Sequence, residues 1–286
     1  MFSKKYIATA YTMLQKDDMD KTLRNDLWNA FQKYFLNRIV YISSTAMIGD
    51  CYSTRLLEDC VNQKFIIDLY ENFFILPIGN MIKHPLSTIK DEIASLYNDL
   101  QWYQVYDLIE YISTKVINYS NFESDINLRL ERNNSAYRLI KSNICPITNK
   151  EEIETIKHAS NTTFDIVNTH INKAIQLFSN IKNPDYENVI KESITAVETM
   201  CSIIVGQKTT LGEALKKLED NGVSIHPSLK SSFSKLYGYT SDANGIRHSG
   251  DIGGPESTFS EAKFMLISCS AFVNYLLENY TKITKN

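Results

Sequence analysis

Apolar positions recur at three- and four-residue intervals along most of the chain, the spacing of one face of a helix. Asp20 precedes a run in which Leu23, Leu27, Trp28, Phe31, Tyr34 and Phe35 form one broad stripe, which predicts a helix capped by Asp20. Arg24 and Trp28 lie four apart on it and can stack. A second helical pattern covers about 54–75, with Leu56, Leu57, Cys60, Val61, Phe65, Ile66, Leu69 and Tyr70. Pro77, Gly79 and His84-Pro85 then punctuate residues 77–85. A third pattern covers about 86–117, and its aromatics (Trp102, Tyr103, Tyr106) fall at helical spacing, as core residues do. Residues 125–132 continue as a charged helix. The pattern changes at 135–148, where Tyr137, Leu139, Ile144 and Ile147 flank the turn Lys141–Asn143 and predict a small β-hairpin. Thr148 and Glu151 then read as a capping box.

From Asn149 onward every pattern is helical. Helices are expected over Glu151–Asn161, Phe164–Asn180, Tyr186–Val205, Thr210–Asp220, from Pro227, and from a Ser257 cap to about Tyr280. In Tyr186–Val205 the stripe is Ile190, Ile194, Val197, Cys201 and Ile204, and Gly206 stops the helix. In the last helix Phe264, Ala271 and Tyr275 form one stripe and Met265, Phe272 and Leu276 another. The small residues Ser268–Ala271 permit a close helix approach, internal or across a dimer. The expected fold class is therefore mainly α. A helical N-terminal domain of residues 1–150 carries the hairpin, and a second helical domain spans 151–286.

Composition narrows the function classes. Hydrophobic content of 43% and charged content of 22% are those of a globular protein, and ten glycines with six prolines are too few turn formers for an all-β chain. The formal charge of -3 gives no global pull toward nucleic acid or anionic membrane, so any such contact is local. Cys51, Cys60, Cys145, Cys201 and Cys269 are odd in number and widely spaced, which fits reduced thiols. No Cys or His pair has zinc-ligand spacing, so no metal and no cofactor is expected. No apolar run approaches the roughly 18 residues of a membrane span, and Met1–Tyr6 lead into polar sequence rather than a signal core. A cytoplasmic protein without membrane contact is the expectation.

The densest chemistry lies in Tyr237–Ser249, where Asp242, Asn244, Gly245, Arg247 and His248 fall within seven residues. A fixed cation beside a titratable imidazole suits work on a phosphate. The same residues also read as a helix end with a Gly stop, a cation and an imidazole capping the last carbonyls.

The segments Asn183–Glu198, Thr210–Leu218, His226-Pro227, Leu236–His248 and Ala262–Tyr275 resemble the HEPN domains of abortive-infection proteins of the AbiJ type. Phe2–Tyr6, Met19–Trp28, Asn134–Leu139 and Pro146–Thr148 look like the AbiJ-type N-terminal domain. The resemblance implies a HEPN-like helical bundle, a homodimer and bacterial antiviral defence. It further implies a metal-independent endoribonuclease in which an Arg and a His of each subunit meet at the dimer interface. Carried onto this sequence, the catalytic pair is Arg247 and His248, with Asp242, Asn244, Glu192 and Glu198 as supporting or substrate-binding residues. RNA, tRNA included, is the implied substrate. The HEPN nuclease motif spaces its Arg several residues before its His, whereas here they are adjacent. Neighbours on a helix diverge by about 100°, so both reach one phosphate only from a loop or helix end. For Glu192 and Glu198 a solvated helix face is the competing reading. For the chain as a whole it is a non-catalytic HEPN dimer that binds nucleic acid or a nucleotide, or senses a phage component.

Overall fold

The computed structural model describes residues 14–41, 56–239 and 257–284, which divide between two compact units, Met1–Ile144 and Cys145–Asn286. The protein is mainly α-helical.

In the first unit, α1 (Lys21–Tyr34) begins where Asp20 accepts a hydrogen bond from the Leu23 amide at 2.7 Å, the expected cap. Its stripe is buried: Leu23, Leu27 and Phe31 have no exposure. Arg24 does something other than stack on Trp28. Its guanidinium donates to the carbonyls of Tyr97 and Leu100 at 3.2 and 2.9 Å and lies over the Tyr97 ring. The Tyr97 carbonyl already accepts from the Leu100 amide at 3.2 Å, and the guanidinium adds a second donor to it and one to the Leu100 carbonyl just past the helix end.

The pattern at 54–75 is not one helix. Leu57–Asp59 form a 3-10 turn, and β2 (Cys60–Val61) pairs antiparallel with β1 (Val40–Tyr41). Asn62, at φ 63°, then breaks the chain direction before α2 (Lys64–Leu69), which widens into a π turn over Tyr70–Phe74. Asn tolerates this left-handed backbone better than most residues. The pattern at 86–117 is likewise two helices, α3 (Leu86–Asp99) and α4 (Trp102–Ser113). Leu100 is extended, and the Gln101 amide donates to the Gln104 side chain at 2.8 Å to start α4.

After α5 (Tyr119–Arg132) the hairpin forms as expected from β3 (Arg138–Ile140) and β4 (Asn143–Cys145). Lys141 and Ser142, at φ 49° and 64°, make the two-residue turn whose twist matches paired strands. Side chains stand in for the missing strands on both outer edges. Asn127 of α5 accepts from the Leu139 amide at 2.7 Å and donates to its carbonyl at 2.8 Å. On the other edge Glu110 of α4 accepts from the Ile144 amide. Burial pushes the Glu110 carboxyl up to about 7 against the pull of that bond, with the Asp107 charge adding to the rise.

The second unit holds α6 (Lys150–Ala159), α7 (Asp165–Ser179), α8 (Tyr186–Val205), α9 (Leu211–Asp220), α10 (Pro227–Tyr239) and α11 (Phe259–Thr284). Asn149, not Thr148, caps α6, accepting from the Glu152 amide at 2.9 Å. Thr258, not Ser257, shares a reciprocal cap with Glu261 at the start of α11. In each case the cap lies one residue later than the spacing suggests. The Gly206 stop, at φ 86°, forms as expected, and the helix expected from Thr210 is opened by a reciprocal Thr210–Glu213 cap.

α8 is the centre of this unit, packed against α7, α9 and α11. Both of its apolar stripes are covered, from Ile190 to Ile204 and from Val189 to Met200. Of the two α11 stripes, Met265, Phe272 and Leu276 enter the core, while Phe264 is 57% exposed. Cys269 and Ser270 are buried inside the unit, whereas Ser268 is half-buried and Ala271 exposed. Cys60, Cys145, Cys201 and Cys269 are all buried free thiols.

Candidate functional site

Helix α10 ends at Tyr239 and α11 starts at Phe259. Asp242, Asn244, Arg247 and His248 fall between them, outside the described residues. Their geometry therefore enters only through the helices on either side. α10 holds to the bundle by a stack of Phe233 on Phe272, with centroids 3.7 Å apart and planes at 17°. Phe233 and Leu236 of α10 also line a small apolar cavity of about 20 Å³ with Ile194 and Val197 of α8 and Cys269 of α11.

Both carboxylates expected beside the site lie on α8. Six residues of helix turn them about 120° apart and move them about 9 Å along the axis. They therefore flank opposite edges of the buried face. Glu198 follows Val197 and lies four residues from Ile194, and both of those line the cavity with α10. It is half-buried, and its charge adds to the burial that pushes the Cys201 thiol up to about 12.

Glu192 faces α7 instead. It is 8% exposed, so it is not a residue of a solvated helix face. One oxygen meets His170 Nδ1 at 2.7 Å and the other forms a salt bridge with Lys173. Burial alone pushes the Glu192 carboxyl up. The hydrogen bonds and charges of Lys173 and His170 outweigh it and hold the group below the usual carboxylate range. His170 and Lys173 sit three apart on α7, one turn of one face. Neither residue stands out in the sequence, because their partner lies on another helix. The one signal they leave there is a polar pair, three apart, beside an apolar stripe.

Among the described residues, no group of three His, Cys, Asp or Glu side chains stands close enough to hold a metal ion. None of the described helices is long and apolar enough to cross a membrane.

A family model, AbiJ N-terminal domain 4, matches residues 1–162, more than half of the chain. The chain belongs to the AbiJ N-terminal domain 4 family. It is thereby an abortive-infection-related protein of the AbiJ type. No curated protein and no solved structure matches it. The match runs past the first compact unit, which ends at Ile144, and takes in the whole of α6. It stops before α7, so Glu192, Glu198 and the Arg247-His248 pair lie outside the matched AbiJ segment.

Proposed function

We propose that this AbiJ-type protein is an abortive-infection effector, a metal-independent endoribonuclease acting through Arg247 and His248 at a HEPN homodimer interface. The observation that supports the reading is that the second unit is helical among the described residues and that Arg247-His248 fall in sequence between two of its helices, α10 and α11. In this proposal Arg247 binds the scissile phosphate with its fork of N–H donors. His248 takes the 2′-OH proton and returns one to the leaving 5′-oxygen. Glu198 supports the pair, and Glu192 serves the α7–α8 contact. Asp242 and Asn244 shape the turn and orient the imidazole.

The test uses purified full chain on total RNA and on tRNA in EDTA. Wild type should cleave, Arg247→Ala and His248→Ala should each lose about 100-fold or more, and Glu192→Gln should keep its cleavage. Absent cleavage by wild type, or equal cleavage by the two site variants, refutes the nuclease. A monomer mass by light scattering at micromolar concentration refutes the composite site. The adjacency of Arg247 and His248 favours a second reading, a non-catalytic dimer that binds nucleic acid. Retained RNA binding without cleavage is its signature.

A further inference from the structure

In the first unit, α2 and the π turn that continues it keep Lys64 and Glu71 exposed. The two lie seven residues apart, so they share one helix face about 10 Å apart along the axis. Within its own helix Lys64 would pair with the carboxylate four residues on, Asp68. Asp68 is taken instead by the Tyr111 hydroxyl of α4 and by Lys115 just past the end of α4. Lys64 is left beside the Phe65 ring, at 5.9 Å from its centroid, and Arg38 lies over the same ring at 4.6 Å. Neither cation, nor Glu71, forms an ion pair among the described residues.

Apolar side chains stand exposed at both ends of this segment. Ahead of it, Val40 and Val61 are register partners across β1 and β2, and they are 52% and 45% exposed. Behind it, Ile75 is 74% exposed and sits at φ 54°. That left-handed position past a helix is one that Gly fills without strain and a β-branched residue fills only at a cost. Packing within the chain does little to offset the cost, since three quarters of the side chain is in solvent. Backbone strain held at an exposed apolar residue points to a contact made outside the chain.

We propose that this face is a self-association surface, on which a second copy of the chain docks antiparallel about a two-fold axis. The order along the segment is apolar, cation, anion, apolar, and it is complementary to its own reverse. A two-fold axis near Ile67 and Asp68 sets Lys64 of each chain opposite Glu71 of the other. It also sets Ile75 of each opposite the Val40–Val61 pair of the other. Each contact is then made twice, as in any isologous interface. The charge order selects this partner over others. An anionic membrane or a nucleic acid would attract Arg38 and Lys64 but repel Glu71.

The surface belongs to the first unit and does not depend on the nuclease reading or on the homodimer proposed for the second unit. Sedimentation velocity of the full chain over about 1–100 μM tests it. Lys64→Glu and Glu71→Lys should each raise the concentration for half-association about tenfold or more, because each sets like charges opposite one another twice. An equimolar mixture of the two variants should associate as wild type does, since each supplies the charge that the other lost. The Lys64→Glu/Glu71→Lys double variant should do the same alone. Ile75→Gly relieves the left-handed strain, so it should hold or raise the urea midpoint of the first unit while weakening association about tenfold. With the second-unit homodimer present the single charge variants fall back to a dimer, and without it to a monomer; both support the proposal. It is overturned if wild type and both charge variants show the same association at every concentration. A mixture no stronger than either variant alone, or Ile75→Gly associating as wild type does, would overturn it equally.

Discussion

Replacing Glu110 by Gln should make the first unit more resistant to denaturant at pH 8 and should flatten its pH dependence. Glu110 accepts from the Ile144 amide at the outer edge of the hairpin, and burial pushes its carboxyl up to about 7. In the unfolded chain the same group ionises near 4.5. The folded state therefore binds the proton more tightly than the unfolded state does. Its stabilising contribution is complete below about 4.5, falls as pH rises through about 7, and is lost above that. Over the whole window the wild-type fold loses about 3 kcal/mol from this one group, an upper bound because Glu110 is partly exposed. Gln keeps an acceptor for the Ile144 amide and cannot ionise. Its gain over wild type should thus be largest near pH 8 and small near pH 5. Both tryptophans, Trp28 and Trp102, lie in the first unit, so tryptophan fluorescence during urea unfolding of the full chain reports that unit alone. The carboxylates held low, such as Asp26 and Asp68, titrate identically in both proteins and cancel in the difference. Parallel urea midpoints for wild type and Glu110→Gln from pH 5 to pH 8 would refute the reasoning.

Two further outcomes concern side chains that bridge elements. Asn127→Ala removes both partners of Leu139 from the open edge of β3, and should cost the first unit about 2–3 kcal/mol, read from the same fluorescence midpoint. Glu192→Ala leaves His170 and Lys173 without their carboxylate. It should lower the melting temperature of the chain, at a cost of about 1–2 kcal/mol at pH 7 that shrinks as pH falls below the usual carboxylate range. That sign comes from the lowered Glu192 carboxyl, whose contribution is present above its unfolded value and disappears once it is protonated.

What could be read from the sequence was what depends on near neighbours. Asp20 and Gly206 fix helix ends within one turn, and a turn within Lys141–Asn143 fixes its hairpin, so these appeared where expected. Segment 54–75 escaped because Cys60 and Val61 have a second option besides helix, a strand partner some twenty residues upstream in β1. Helical spacing of apolar residues does not distinguish the two when the distant partner decides. The break between α3 and α4 escaped for the same reason: it is stabilised by Arg24, brought from α1 to the carbonyls of Tyr97 and Leu100. Glu192 read equally well as a surface feature because its two partners belong to α7. Of the candidate site, the flanking helices were legible, and the Arg247-His248 pair itself lies outside the described residues.

The position of α6 bears on how an AbiJ-type N-terminal segment connects to the helices C-terminal to it. If the family segment were complete as a packed body, its last helix would bury its apolar face within that body. Here Ile153, Ile156 and Ala159 are buried in the second unit, where α6 packs on α11 and, through a smaller contact, on α7. The helix is fixed there by polar contacts to α11 as well, Glu152 to Lys263 and Asn274 to the Thr155 carbonyl. A displacement of α6 would therefore have to break buried apolar contacts and two polar bonds in the bundle that carries Arg247 and His248. Such a helix is part of the family segment by sequence and part of the proposed effector bundle by packing.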